Sequence, residues 1–171
     1  MQQRNILAGP YLDRASHLRQ DPAWFANALA DRRSRYLPVW NSRNLITEDQ
    51  PPRAALLELS AVPEARRNAD DLILLGRFGD VDVFAFEIAA SETPQPQGNA
   101  RFEDLRMVAA LLSAEAAGLL GYARGMISWR ARHRFCGTCG ATTLASKGGY
   151  WVRFADPSGP RLVADGDWIV P

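Results

Sequence analysis

Residues 72–88, with the sequence LILLGRFGDVDVFAFEI, decide how this chain folds. Two apolar runs, Leu72–Phe78 and Val81–Ile88, are separated only by Gly79 and Asp80. A two-residue connection that contains glycine, placed between apolar runs with alternating side chains, is typical of a β-hairpin. The stretch therefore predicts two antiparallel strands that belong to a small mixed or antiparallel sheet.

Two further elements are predicted before this hairpin. Residues 21–30 indicate a short helix, because Asp21 is suited to cap it and Pro22 falls at the first helical position, where a missing N–H costs nothing. Residues 36–40 (YLPVW) indicate a strand, and Pro38 predicts an edge or irregular strand because proline cannot donate a ladder hydrogen bond. Together with the hairpin, these elements predict an α+β domain.

The spacing of apolar residues changes after a polar loop at 91–100. From Phe102 to Met126 they recur every three or four positions, which is the spacing of one helix face, and Ser113 is placed to begin a second helix as its N-cap. We therefore expect one or two helices between Phe102 and Trp129. Three glycines in this stretch each cost about 1 kcal/mol of helix propensity, which predicts close packing against that face: Gly118, Gly121 and Gly125.

The composition excludes several classes of protein. The chain has 171 residues, of which 47% are hydrophobic and 23% charged, as in a globular domain. Lysine and arginine number 20 against 19 acidic residues, so no basic excess points to nucleic acid. No apolar run approaches the roughly 18 residues that span a bilayer, and the N-terminal residues lack a secretory apolar core. We expect a cytoplasmic protein with no membrane contact and with reduced thiols.

The two cysteines of the chain form a C-x-x-C pattern within residues 135–140 (FCGTCG). Thiolates at Cys136 and Cys139 would share one tight turn and bind a tetrahedral metal, and Gly140 tolerates the positive φ that such a turn needs. A redox pair normally opens a helix, whereas turn and strand residues follow here. The pattern favours a zinc knuckle over a thiol redox pair, and two free thiols remain an alternative.

The predicted zinc site is incomplete. A zinc ribbon uses four ligands, and no cysteine or histidine follows Cys139. Asp156 is the one oxygen ligand in the expected region, and His133, three residues before the knuckle, is more often structural beside aromatic residues. Two thiolates leave the coordination shell unfilled, so the structural Zn²⁺ is expected to be either lost or shared between two chains.

Several stretches of the chain resemble the NADH pyrophosphatases of the Nudix hydrolase superfamily. The matching stretches are 13–19, 37–40, 102–106, 116–123 and 129–140. The resemblance implies a degenerate Nudix-like α+β domain at residues 1–131, in which helices pack on a small sheet. It also implies a small rubredoxin-like zinc-ribbon segment at 132–171, without its second cysteine pair. The catalytic Nudix domain is expected to be absent.

The resemblance also implies a function. The family hydrolyses the pyrophosphate of NAD(H) to NMN(H) and AMP, in some members on NAD-capped RNA, with Mg²⁺ or Mn²⁺ held by the carboxylates of a Nudix box. This sequence contains no Arg-Glu and no Glu-Glu dipeptide, so we expect no hydrolysis by the chain itself. The implied role is scaffolding, homodimer formation and contact with a NAD(H)-type dinucleotide through Arg106, whose guanidinium offers paired donors to a pyrophosphate.

Other interpretations of the same residues stay open. Arg106 is alternatively a solvated helix arginine, and the chain is alternatively a stand-alone protein-interaction module with a vestigial zinc knuckle. The alternating arginines at 130, 132 and 134 predict one solvated edge, because the net charge is near zero. Four aromatic residues around the knuckle are assigned to packing: Trp129, Phe135, Tyr150 and Trp151.

Overall fold

The computed structural model describes residues 12–68, 70–96, 98–137 and 139–155, and the backbone of 167–169. The helices are α1 (Pro22–Ala30), α2 (Leu105–Val108) and α3 (Ala114–Arg132). The strands are β1 (Arg35–Trp40), β2 (Arg43–Thr47), β3 (Ile73–Phe78), β4 (Val81–Ile88), β5 (Ala100–Glu103), β6 (Thr143–Ser146), β7 (Trp151–Phe154) and β8 (Asp167–Ile169). Two 3₁₀ turns, Leu59–Ala61 and Glu64–Arg66, precede β3.

The strands form two sheets, which makes the fold α+β as predicted. The larger sheet is mixed and has the order β3-β4-β1-β2-β5, with β1 and β4 parallel and the other neighbours antiparallel. The smaller sheet is antiparallel, with the order β6-β7-β8. Among the described residues, no helix combines the length and the apolar character needed to cross a bilayer.

The predicted hairpin is confirmed, because β3 and β4 pair antiparallel and Phe78 faces Val81 across the turn. Its register shifts between Leu74 and Gly76, where the backbone of Gly76 has a φ of +138°. A Cβ added at Gly76 would overlap the carbonyl oxygen of Asp13 and lie 2.8 Å from the Cα of Arg14. Only glycine therefore lets the 13–14 segment approach β3 at this bulge.

Alternation on β4 explains how the larger sheet is buried on both faces. Val83 and Ala85 belong to the core cluster that packs against α3, whereas Phe84 and Phe86 belong to the cluster that packs against α1. Successive residues of a strand point to opposite faces, so a sheet covered on both sides needs apolar residues at every position. This requirement accounts for the near-continuous apolar run in β4.

The predicted N-terminal helix is confirmed together with its cap. The side chain of Asp21 accepts hydrogen bonds from the N–H groups of Ala23 at 2.9 Å and Trp24 at 3.2 Å, and Pro22 is the first helical residue. Phe25 of α1 then meets the ring of Phe84 edge to face, with centroids 5.9 Å apart. The cap thus begins a helix whose buried side covers the sheet.

The prediction that Pro38 places its strand at an edge is wrong, because β1 lies between β4 and β2. Tyr36 exchanges two backbone hydrogen bonds of 2.9 Å with Leu57 on the side away from β4. The nitrogens of alternate residues point to the same side, so the nitrogen of Pro38 also points away from β4. It falls between the Leu57 bridge and the start of the β2 ladder at Val39, where the sheet requires no donor.

The prediction of helix from Phe102 is also wrong. Residues 100–103 form β5 and pair with β2, with Phe102 opposite Leu45. Asp104 then caps the short α2, and α3 begins after Ser113, whose hydroxyl accepts from the N–H of Ala116 at 3.2 Å as predicted. The apolar spacing spans strand and helix although the residues pack differently: Leu105, Val108 and the apolar residues of α3 join one core cluster, whereas Phe102 packs against Trp40.

Close packing is not found at every predicted glycine of α3. Gly125 is exposed, and no atom of the described residues lies within 4 Å of a Cβ added there. The buried residues of α3 are instead alanine, leucine, methionine and isoleucine: Ala116, Ala117, Leu119, Leu120, Ala123, Met126 and Ile127. The expected packing reason for a glycine is therefore wrong at Gly125.

The smaller sheet packs against β3, which is an edge strand of the larger sheet. The turn between β6 and β7 contains Gly148 and Gly149, with φ values of +68° and +78°. The N–H of Leu74 donates a 2.9 Å hydrogen bond to the carbonyl of Gly148. An added Cβ would lie 2.9 Å from Phe25 Cε2 at Gly148 and 2.9 Å from Ile73 Cγ1 at Gly149. Two glycines therefore let this turn cover the strand edge.

Candidate functional site

The cysteine segment forms a tight turn directly after α3. The N–H of Cys136 donates to the carbonyl of Ala141, and the N–H of Gly140 donates to the carbonyl of Cys136, both at 2.8 Å. Gly140 has a φ of +71°, the positive value that the sequence predicts. Strand β6 follows the turn, so the predicted succession of turn and strand, rather than a helix, is confirmed.

The metal-binding role of this turn stays a prediction. Cys139 is exposed and Cys136 is half-buried. Within the residues that the structure describes, no three His, Cys, Asp or Glu side chains are grouped so that they would hold a metal ion. Asp156, the predicted oxygen ligand, lies outside the described residues. The described part of the turn thus offers two sulfur ligands and no third.

His133 is part of the end of α3. Its Nδ1 lies 2.7 Å from the carbonyl oxygen of Trp129, and the two rings stack with centroids 4.7 Å apart. Its own carbonyl accepts a hydrogen bond from the hydroxyl of Thr143. These contacts favour the structural interpretation of His133, since they join the helix end to β6.

The four aromatic residues near the cysteines differ in their environment. Trp129 and Tyr150 pack against the core beneath α3. Trp151 is half-buried, and the Nζ of Lys147 lies 3.2 Å from the centroid of its ring. Phe135 is 62% exposed, so its assignment to packing is wrong. Its position directly before Cys136 leaves an apolar ring on the surface beside the cysteine turn.

Arg106, the predicted dinucleotide contact, lies on α2 with 80% of its side chain exposed. Its Nη2 is 2.7 Å from Oδ2 of Asp104, and its Nε is 3.2 Å from both oxygens of that carboxylate. Arg124 of α3 contacts the same carboxylate at 3.3 Å. The hydrogen bonds from Arg106, together with the charge of Arg124, hold the pKa of Asp104 well below its usual range.

The structure does not gather Arg106 and the cysteines into one site. Arg106 is joined through Asp104 to Arg124, eight residues before the end of α3, which corresponds to about 12 Å of helix. The cysteine turn begins only after that end. An identical local arrangement occurs elsewhere, where Arg33 contacts Asp31 with Nη2–Oδ2 at 2.8 Å. The Asp-x-Arg geometry alone therefore does not distinguish a ligand contact from a surface ion pair.

A cleft that the sequence did not reveal lies between the two sheets. It has a volume of about 330 Å³ and is bounded by the C-terminal turn of α3, the 66–71 segment and strands β6 and β7. We call it the inter-sheet cleft. Its charged lining comprises Arg66, Asp70, Asp71, Glu87, Arg130 and Arg134.

Arg130 points into the inter-sheet cleft, and the prediction of one solvated arginine edge is wrong there. Its side chain is half-buried, and its Nη1 is buried without a hydrogen-bond partner in the described part of the chain. Burial lowers the pKa of Arg130, while the charges of Asp71 and Asp70 raise it. Arg132, by contrast, is exposed.

The helix period explains why these arginines differ. Residues 127 and 130 lie on one side of α3, because their spacing is three, whereas Arg134 lies two residues beyond the helix end and lines the same cleft. Ile127 is buried, and it therefore marks the side that faces the core. The three-residue spacing from Ile127 to Arg130 was the sequence signal for an inward-facing arginine. The prediction of a solvated edge rested instead on the alternation of arginines at 130, 132 and 134.

Comparison with known proteins places the larger sheet in a family. A family model described as "NADH pyrophosphatase-like rudimentary NUDIX domain" matches residues 33–129, more than half of the chain. This range runs from just before β1 nearly to the end of α3. The match covers the sheet, α2 and most of α3, and it ends before the cysteine turn.

Two curated relatives are named as NAD-capped RNA hydrolases. The chain is 36% identical over 74 residues to the "NAD-capped RNA hydrolase NudC" of Stutzerimonas stutzeri (strain A1501), covering 43% of this chain and 26% of that protein. It is 41% identical over 64 residues to the human "NAD-capped RNA hydrolase NUDT12", covering 37% of this chain and 14% of that protein. The matched segments thus span 26% and 14% of these two relatives.

Proposed function

This chain belongs to the family of NADH pyrophosphatase-like rudimentary NUDIX domains, and we propose that it is the non-catalytic scaffold of a NAD(H) pyrophosphatase. The family match across the larger sheet is the observation that carries this proposal. The names of the relatives point to NAD-capped ends of RNA as a further substrate class. The matches span only part of the relatives. We therefore propose the pyrophosphatase activity for a whole protein of this family and not for this chain alone.

In this proposal the chain contributes structure and binding but no hydrolysis. The sequence contains neither an Arg-Glu nor a Glu-Glu dipeptide, so it lacks the paired carboxylates that hold Mg²⁺ or Mn²⁺ for attack on phosphorus. The sheet covered on both faces supports a scaffold role, because a core of this kind holds surface groups in fixed positions. The proposed division is a Nudix-like domain at 1–131 followed by a ribbon at 132–171.

Arg106 is the residue proposed to contact the dinucleotide. Asp104 engages its Nε and Nη2 and so holds the guanidinium in one orientation. The exposed side chain and the remaining nitrogen, Nη1, are directed away from this ion pair, and a guanidinium suits the oxygens of a pyrophosphate. Arg106 is therefore proposed as a positioned cation at the surface of α2.

The cysteine turn is proposed as half of a zinc site. Cys136 and Cys139 offer two ligands where structural zinc takes four, and Cys139 is exposed to a partner. Two copies of the turn, one from each chain of a homodimer, would complete a tetrahedral set of four thiolates. A cytoplasmic location is part of the same proposal, since a reducing compartment keeps thiols available for metal.

A binding titration tests the proposed function. Isothermal calorimetry of the full chain with NADH should show binding, and the same sample with NADH and Mn²⁺ should release no AMP. Arg106→Gln is expected to weaken NADH binding at least fivefold, because one charged donor is lost. Arg33→Gln is the matched control, because Arg33 forms the same ion pair with Asp31; it should leave the affinity unchanged. Absence of NADH binding by the wild-type chain would refute the dinucleotide role.

One observation favours a second candidate function, a non-catalytic protein-interaction module. Phe135 is 62% exposed directly beside the cysteine turn, and an exposed ring at such a position suits contact with another protein. This alternative predicts that NADH has no effect on the thermal midpoint. The calorimetric titration therefore separates the two candidates.

A further inference from the structure

The inter-sheet cleft contains a charged group whose hydrogen bonding is incomplete. Arg66 contacts Glu92 at 3.2 Å, and Arg134 lies 3.6 Å from Glu87. Nη1 of Arg130 is buried, and none of the described residues accepts its hydrogen bond. A buried guanidinium nitrogen without an acceptor is unfavourable, so an anion that enters the cleft would be stabilised once a rotation of the Arg130 side chain brings this nitrogen to it.

The neighbouring charges define where an anion would lie. Arg134 follows the end of α3 and lines the same cleft as Arg130, and its side chain is 68% exposed. Its 3.6 Å contact with Glu87 is longer than a hydrogen bond, so the guanidinium can also turn to a ligand. Arg130 and Arg134 thus form a cationic side of the cleft with donors at two positions.

The cleft also contains acidic groups. Asp70 and Asp71 line it from the segment before β3, and Oδ1 of Asp71 lies 3.9 Å from Nη1 of Arg66. Carboxylates at this position would repel a second phosphate but accept hydrogen bonds from hydroxyl groups. A ligand that fits the cleft therefore has one anionic end and one end that carries hydroxyl donors.

We infer that the inter-sheet cleft binds a phosphate monoester with a hydroxyl-bearing body, its phosphate on Arg130 and Arg134 and its hydroxyls toward Asp70 and Asp71. Guanidinium groups bind phosphate oxygens through paired donors, and a phosphate monoester has the double charge that two arginines favour. A volume of about 330 Å³ accommodates a small metabolite. The ligand is a nucleoside monophosphate or a sugar phosphate, which share this chemistry.

This site is separate from Arg106 and uses none of the cysteines, so it does not depend on the proposed function. NADH binding that is sensitive to Arg106 and monophosphate binding that is sensitive to Arg130 are different results. Either can fail while the other holds.

Calorimetry on the full chain at constant ionic strength tests the inference, with AMP, ribose 5-phosphate, adenosine and inorganic phosphate as separate probes. AMP or ribose 5-phosphate should bind at least tenfold more tightly than adenosine and than inorganic phosphate. Binding of AMP alone identifies a nucleotide site, and equal binding of both esters identifies a sugar-phosphate site. Equal affinity for adenosine and AMP would overturn the inference, as would no binding of either ester at millimolar concentration.

Variants locate the binding. Arg130→Gln should weaken binding of the phosphate ester at least tenfold. Arg132→Gln is the same change at an exposed position of the helix end and should change the affinity less than twofold. Arg134 is exposed, so Arg134→Gln should keep the fold, and it should weaken binding of the ester at least threefold even if Arg130→Gln fails to fold. Equal affinities for the Arg132 and Arg134 variants would contradict the assigned phosphate position.

Discussion

Leu74 and Gly148 join the two sheets through a backbone hydrogen bond of 2.9 Å, from the N–H of Leu74 to the carbonyl of Gly148. The carbonyl of Leu74 accepts from Nη1 of Arg19 at 2.6 Å, so both backbone groups of this residue are used. An edge strand with open backbone groups invites aggregation, and here the edge of β3 is covered by the 147–150 turn and by Arg19. The cysteine turn is therefore connected through β6 to the 147–150 turn, which is fixed to the larger sheet.

The glycines of this contact are expected to be intolerant of a side chain. Gly149→Ala places a Cβ 2.9 Å from Cγ1 and 3.2 Å from Cα of Ile73, at a φ of +78°. Strain and overlap together should lower the free energy of unfolding by about 2–3 kcal/mol in a urea titration. Gly125→Ala is the control with the opposite sign, because its Cβ meets open space on a helix; it should stabilise by about 0.5–1 kcal/mol. If Gly149→Ala leaves the free energy of unfolding unchanged, the turn does not pack on β3.

Gly76 and Gly79 allow strain and overlap to be measured separately. Gly76→Ala combines a φ of +138° with overlap of the Asp13 backbone, whereas Gly79→Ala has a φ of +64° and open space around the added Cβ. We expect a loss of about 3 kcal/mol or more for Gly76→Ala and about 1 kcal/mol for Gly79→Ala, both measured by urea unfolding. Equal losses would contradict the close approach of residues 13–14 to β3.

Arg19 is expected to be the most important charged residue for stability. It is 5% exposed and donates to the carbonyls of Arg14, Leu74 and Leu75 at 2.6–2.8 Å. Burial lowers the pKa of Arg19, because desolvation disfavours the charged guanidinium. Arg19→Met should lower the free energy of unfolding by about 3 kcal/mol, since three carbonyls lose a charged donor.

Arg14→Met is the control for Arg19, because Arg14 is exposed and its guanidinium lies 4.9 Å from the centroid of the Tyr122 ring. Loss of this surface cation–π contact should lower the free energy of unfolding by less than about 1 kcal/mol. A larger effect at Arg14 than at Arg19 would contradict the assignment of the carbonyl contacts as the stabilising ones.

The carboxyl of Asp104 should titrate abnormally because of Arg106. Its pKa lies well below the ordinary value, so its contribution to stability is present above the ordinary pKa of about 4 and is lost as pH falls through the lowered pKa. Arg106→Gln should return the pKa toward the ordinary value and remove this acid-dependent contribution. Carbon-13 NMR titration of the Asp carboxyls measures it, with Asp31 unchanged as the internal control. If the pKa of Asp104 in the variant is the same as in the wild-type protein, Arg106 is not the main partner of this carboxylate.

Zinc content tests the shared cysteine site. Protein purified under reducing conditions without chelator should contain about half a zinc ion per chain and elute as a dimer, because two cysteine pairs complete one tetrahedral site. Cys136→Ser should abolish both zinc and dimer, whereas Arg132→Gln should affect neither. One zinc per chain, or a dimer that survives Cys136→Ser, would contradict sharing between chains.

The sequence by itself determined the elements whose cause is local. The β3–β4 turn, the Asp21 and Ser113 caps and the positive φ at Gly140 follow from residues within a few positions of each other, since turn and cap preferences act over that range. The resemblance to the pyrophosphatases also came from short stretches, and it is confirmed by the match over residues 33–129.

Only the tertiary structure decided what depends on distant parts of the chain. Pro38 lies in a central strand because the Leu57 segment bridges one side of it, and Phe102 is in a strand because β2 offers a free edge. The cleft beside Arg130 exists because α3 and the smaller sheet enclose it, and residues 40 or more positions apart line it together. Contacts across such distances arise only when the whole chain is packed, and no local preference along the sequence encodes them.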